Sequence, residues 1–142
     1  MPQNIKKNEG ESMTWKDRMR VSVSGAEIEI LKELQRRGLT RLLETQKPFD
    51  FIWQIEGVHG CICDFFYNHP FNYAIFIDGE RVHSGRIREE RDELIVKALE
   101  RRGIHVDRFR YKTPISKRRI KEIADKIEET LRGMGYFSHV RP

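Results

Sequence analysis

The chain has no long apolar run and very little cysteine, and these two scarcities remove whole classes of protein. Nothing in its 142 residues approaches the roughly 20 consecutive apolar residues of a membrane-spanning helix. The opening stretch MPQNIKKNEGES lacks the apolar core of a secretion signal. A soluble, intracellular, cytoplasmic protein without a membrane partner is therefore expected. The two cysteines, Cys61 and Cys63, sit two apart. On an extended strand their side chains point the same way, which argues against a stapling disulfide framework. Internal repeats and low-complexity tracts are absent as well, so the length fits one domain with one core.

What is abundant is charge, and its distribution says more than the net of +5. Residues 97–142 hold 13 Lys/Arg against 6 Asp/Glu, whereas residues 1–96 hold 14 against 16. A positive field confined to the last third suits a polyanion, because neutralising phosphates releases counterions and gives sequence-independent affinity. A solvated, charge-rich surface produces the same count, so charge alone leaves both readings open.

Residues 1–20 are polar and aperiodic and read as a flexible arm, leaving 21–142 as a single domain. Ser24 offers an N-cap and Glu27 a capping box, with Ile30, Leu31 and Leu34 at helical spacing before Gly38, which predicts a helix over 25–37. Phe49–Ile55 and Cys61–Tyr67 are aromatic and β-branched and flank a turn-prone Glu56–Gly60. A turn around Pro70 then leads to the buried strand Tyr73–Asp78, ending at Gly79. Arg88–Arg102 places Arg91, Leu94, Ile95, Ala98 and Leu99 on one helical face. Ile104–Tyr111 alternates as a fourth strand, and Ser116 caps a last helix reaching about Leu131. The order αβββαβα predicts an α/β fold, a mixed sheet flanked by helices, with an extra C-terminal helix.

A carboxylate inside the apolar strand Cys61–Tyr67 needs a reason. Asp64 is expected to share a face with Ile62 and Phe66, and a hairpin near Pro70 brings residue 64 opposite 76–78, close to Asp78. Two such carboxylates repel unless one is protonated or a cation lies between them, and a hard divalent ion is economical. Alternatively Asp78 only starts an Asp-Gly turn and Asp64 faces solvent. Helix phase puts Glu27 on the stripe of Ile30, Leu31 and Leu34, and Glu29 on the outer face. Glu27 is then either a third site acid or only a partner in the cap. His59, Cys61 and Cys63 do not make a zinc site, since three ligands on one strand cannot close a tetrahedron; buried cysteines opposite Asp64 fit better.

The run AIFIDGERVH, preceded by CDFF and followed by RIREERDELIVKALERRGIHVDRF, resembles the core of the very-short-patch-repair endonucleases, within the PD-(D/E)XK nuclease superfamily. The resemblance spans about Ser24 to Phe109 and implies a restriction-endonuclease-like αβββαβ core. It further implies a helical glutamate at Glu27, a magnesium-binding aspartate at Asp64 and a metal-binding main-chain carbonyl at Ile77. His83 corresponds to the histidine that follows the turn. Relatives often carry His where this chain has Asp78, which shifts that position from a base toward a metal ligand. The acid-any-lysine triplet is absent, with Glu80 standing where the lysine would be.

What the resemblance implies is a DNA endonuclease using Mg²⁺ or Mn²⁺, including nicking in repair or defence, with Glu27, Asp64, Asp78 and His83 as the working groups. His83 lies between Arg81 and Arg86, which are placed to meet phosphate. Arg91, on the apolar face of its helix, is expected to need a carboxylate or phosphate. Lys117, Arg118 and Arg119 at the start of the last helix read either as an anion-binding surface with its free amides, meeting the phosphate backbone, or as a charged solvated face. DNA is the expected partner, with a homodimer or a protein partner left open. The competing readings are a nucleic-acid-binding module that kept a nuclease fold without cleaving, and a protein-interaction subunit with structural carboxylates.

Overall fold

The computed structural model describes residues 24–50, 60–80 and 86–139, with only the backbone described at Arg86 and Ile87. The elements follow the order α1 (Gly25–Arg36), β1 (Leu43–Phe49), β2 (Cys61–Tyr67), β3 (Tyr73–Gly79), α2 (Arg86–Arg101), β4 (His105–Tyr111), α3 (Lys117–Gly133) and a single turn, α4 (Tyr136–His139). The four strands form one sheet in the order β1-β2-β3-β4. β1, β2 and β3 are an antiparallel meander, and β4 joins β3 in parallel after the α2 crossover. This is the expected α/β sandwich with a mixed sheet.

Each helix is present because its ends are satisfied and one face is apolar. Ser24 is extended and its hydroxyl accepts from the Glu27 amide, which starts α1. The chain leaves α1 through Gly38 at φ 74°, a conformation that favours glycine, while Leu39 N–H reaches back to the Leu34 carbonyl. Ile30 and Leu34 of α1 meet Ile123, Ile127 and Leu131 of α3, and Tyr136 of α4, over Phe65, Tyr67, Tyr73, Ile75 and Ile77 of the sheet. The opposite sheet face carries Cys61, Cys63, Phe66, Ala74 and Phe76 beneath Ile95 and Leu99 of α2. Leu34→Ala should therefore cost about 2–5 kcal/mol, read as a lower urea midpoint, because a fully buried side chain leaves a cavity between two helices. Arg37 closes the same helix pair from outside, bonding Glu33 of α1 and Glu128 of α3 and approaching Asp125 at 2.9 Å.

Three expectations are corrected. The first strand is Leu43–Phe49, earlier than the expected Phe49–Ile55, and residues 51–59 of that segment, including His59, lie outside the described residues. LETQKPF lacks clear alternation, and as an edge strand it accommodates Pro48, whose missing N–H costs no ladder bond on the open side. Second, Arg91 and Leu94 are exposed. The turn before Ile95 rests on Asp92, which meets Arg108 of β4, and this rotates Arg91 outward, where it needs no buried partner. Third, β2 does not alternate strictly. Cys61 and Cys63 share the α2-side cluster with Phe66, so the pattern slips by one between Cys63 and Phe65, at Asp64.

Candidate active site

That slip is where the site forms. The β2–β3 ladder pairs Tyr67 with Tyr73 and Phe65 with Ile75, and then stops. Just beyond, the Asp64 carboxylate takes the place of a ladder acceptor, with Ile77 N–H donating to its Oδ2 at 2.6 Å. The expected register of 64 opposite 76–78 is therefore observed. β1 contributes from the other side: Thr45 pairs with Phe65 and Lys47 with Cys63, which leaves Gln46 facing Asp64 at φ 53°. A non-glycine residue in that region is strained and needs support from its surroundings.

The support comes from α1. Gln46 Nε2 donates to Glu27 Oε1 at 2.9 Å, and the Ser24 hydroxyl donates to Glu27 Oε2 at 3.1 Å. Glu27 thus serves the cap and the site together, one oxygen for each, and is buried at 8% exposure. Glu29 is exposed beside Lys32. Helix phase was enough to choose Glu27, but nothing in the sequence singled out Gln46, because its role depends on a backbone conformation rather than a residue pattern.

Glu27 and Asp64 are in hydrogen-bonding contact, carboxyl to carboxyl. Burial pushes Asp64 up to about 8, the negative charges of Glu27 and Asp78 add to the rise, and the Ile77 N–H opposes it. Near neutral pH the pair therefore keeps a proton in place of a cation. Among the described residues no Lys or Arg forms an ion pair with either acid.

Asp78 differs. Its Oδ2 accepts from Arg108 Nη2 at 2.7 Å, and the same guanidinium lies 3.3 Å from Asp92 and stacks over the Phe76 ring at 4.7 Å. On the Asp78 side the neighbouring cation is therefore a side chain of β4, Arg108. Alternation of β4 placed Arg108 opposite Phe109 and Tyr111, but only the parallel pairing with β3 brings it to Asp78. Arg108→Met should leave two half-buried carboxylates without a partner and cost about 1–2 kcal/mol, discounted for their solvent access, read from the denaturation midpoint.

Asp78 borders a cleft of about 120 Å³ with Gly79, Glu80, Arg88, Glu89, Asp92 and Arg110. Glu80 is exposed there. Gly79 faces the Tyr111 ring, where a Cβ would come within 3.1 Å of the hydroxyl. Ile77 is buried in β3 next to Asp78. Arg81 and His83 lie outside the described residues, and the Arg86 side chain is likewise not described. Lys117 and Arg118 are exposed at the start of α3, whereas Arg119 is half-buried, donating from Nε to the Arg110 carbonyl and pairing with Glu122. The cysteine thiols are buried and free, and burial pushes them up, to about 12 at Cys61 and well above the usual thiol range at Cys63, so neither is poised as a thiolate ligand.

Hard divalent ions prefer carboxylate oxygens, and Mg²⁺ is commonly held by one or two of them plus water and substrate phosphate. A pair of adjacent carboxyl groups that, among the described residues, no Lys or Arg neutralises fits that demand. Among the described residues no cluster of three or more His, Cys, Asp or Glu is arranged around one point for a metal.

Neither a protein-family model nor a curated protein matches the chain. Among solved structures, the homing endonuclease I-Bth0305I catalytic domain aligns with 83% of this chain and 99% of its own, at 14% identity and a TM-score of 0.45. A likeness of that degree assigns neither substrate nor site residues to this chain, whose fold is a mixed four-stranded sheet between helices.

Proposed function

We propose that this chain is a metal-dependent DNA endonuclease that hydrolyses phosphodiester bonds at the Glu27–Asp64–Asp78 site. The observation that carries the reading is the Glu27–Asp64 pair, Glu27 buried and Asp64 partly so, held in a break of the β2–β3 ladder by groups that orient both carboxylates. A fold has little use for two acids in an apolar wall, since burying an unbalanced carboxylate costs several kcal/mol. Asp64, Glu27 and the Ile77 carbonyl would hold Mg²⁺ or Mn²⁺, with Asp78 at the rim. When bound, such an ion neutralises the scissile phosphate and lowers the pKa of an attacking water.

The chain's own residues then have separable tasks. Ile77 N–H fixes one oxygen of Asp64 and leaves the other for the ion. Gln46 and Ser24 aim Glu27. Arg108 holds the Asp78 carboxylate in place. His83, by the resemblance, carries the proton to or from the reacting oxygens, with Arg81, Arg86 and Arg91 available to phosphate. Lys117, Arg118 and Arg119 supply charge for the backbone.

The test is cleavage of duplex, mismatched, branched and single-stranded DNA by the full chain with Mg²⁺ or Mn²⁺ and with EDTA. Metal-dependent products absent from Asp64→Asn support the reading, and a wild type inert on every substrate sinks it. A second reading, nucleic-acid binding without cleavage, is favoured by one observation: Asp78 already has its cation in Arg108.

A further inference from the structure

β4 is an edge strand on which Arg108 and Arg110 alternate to one face, and Lys112 follows just past its end. Arg108 is committed inward to Asp78 and Asp92. Arg110 and Lys112 are exposed and, among the described residues, form no ion pair. The parallel register sets Arg110 directly beside Asp78. Its side chain is thus level with the candidate site and is not consumed by it.

The surroundings make a channel of this. A cleft of about 680 Å³ is lined by Arg110, Lys112, Arg118 and Arg119, with Glu80 and Glu122 as its acids. Glu122 already pairs with both Arg118 and Arg119, so the acid left beside Arg110 and Lys112 in this cleft is Glu80, with which neither forms an ion pair. Glu80 and Arg110 also line the smaller cleft at Asp78, so the cationic cleft opens into the acidic one. The Arg119 bond to the Arg110 carbonyl ties the start of α3 to the edge strand and holds the walls together.

From this arrangement we infer that Arg110 and Lys112 grip successive phosphates of the DNA strand leading to the Asp78 end of the site. Arg110 lies on β4 and Lys112 just past its last residue, two positions apart; were the extended course to continue, they would stand about 6.6 Å from each other, comparable to the spacing of neighbouring phosphates along a nucleic-acid strand. Cations that face each other across a groove would track the backbone without reading bases, so the grip is sequence-independent. The inference rests on the proposed endonuclease reading for its substrate, and its test separates the two.

The experiment measures DNA affinity by fluorescence anisotropy between about 50 and 200 mM salt in an Asp64→Asn background, so that binding is read without cleavage. The expected result for Arg110→Gln/Lys112→Gln is about tenfold weaker binding and a log–log salt slope shallower by about 1.8, two phosphates at 0.9 each. Lys126→Gln, an exposed charge elsewhere on α3, should keep the parent slope. An unchanged slope in the double variant, an equal loss in Lys126→Gln, or no DNA binding by the parent overturns the groove. If the slope falls as expected while wild type cuts nothing with Mg²⁺ or Mn²⁺, the groove stands and the endonuclease reading fails. If wild type cuts and the slope does not move, the groove fails alone.

Discussion

Asp64→Asn should lose cleavage altogether and, in the same protein, gain thermal stability above neutral pH without metal. The two outcomes share one cause. In the folded chain Asp64 holds its proton to about 8, against an ordinary value of 3.8. Between those values the native state binds more protons than the unfolded state, so this group's contribution to stability falls as pH rises toward 8 and levels off beyond it. Asparagine keeps the shape and an oxygen for the Ile77 N–H but never ionises. At pH 9 the metal-free variant should melt about 5–10 °C above wild type, whereas at pH 4 the two should converge. A metal that binds the deprotonated pair should expel a proton, so wild-type affinity for Mn²⁺ should rise with pH up to about 8, and the variant should lose that dependence. Calorimetric titration in two buffers of different ionisation enthalpy reads the proton directly. Equal melting curves at pH 9, or cleavage by the variant at the wild-type rate, would show that Asp64 is an ordinary strand residue.

Glu27→Gln is expected to slow cleavage by at least about 10²-fold, within the range usual for losing a positioned acid–base or metal-binding group, while Glu29→Gln stays within about twofold of wild type. The two glutamates are two residues apart on one helix, yet Glu27 is buried against Gln46 and Asp64 whereas Glu29 sits in solvent beside Lys32. Removing the Glu27 charge also removes one of the neighbours that raise Asp64, so the pH dependence of stability in Glu27→Gln should move toward lower pH. A fold defect is distinguished from a site defect by the melting temperature at pH 5, where Asp64 holds its proton and the substitution is nearly isosteric. Indistinguishable rates for Glu27→Gln and Glu29→Gln would remove α1 from the site.

Gln46 connects these two variants. Its left-handed backbone is held in place by the bond to Glu27, so Glu27→Gln, which can turn its amide to meet Gln46, should disturb β1 less than Glu27→Ala. Comparing the melting temperatures of the two variants tests whether the strain at Gln46 is supported through that bond.

Much of the architecture was legible in the chain because local patterns and global packing agree. Ser24 and Ser116 cap helices where side-chain oxygen preferences say they should, and Ile123, Ala124, Ile127 and Leu131 face the sheet at helical spacing. The choice of Glu27 over Glu29 also followed from periodicity, as did the approach of Asp64 to the segment 76–78 from the position of the hairpin. These are short-range facts: a cap, a helical turn or a hairpin involves neighbours in sequence, and their geometry follows from a few dihedral angles. Only the tertiary structure decided the rest. The slip in β2 that turns Asp64 toward α1, the strained Gln46 aimed at Glu27, and the inward reach of Arg108 to Asp78 all depend on which strands lie side by side. Arg91 shows the reverse, an apolar-face position by periodicity that packing turned outward once Asp92 took the contact with Arg108. A sequence records which residues can pair, but strand order and register are set by the summed burial of the whole core, and it is that sum which brings Asp64 beside Glu27 and Arg108 onto Asp78.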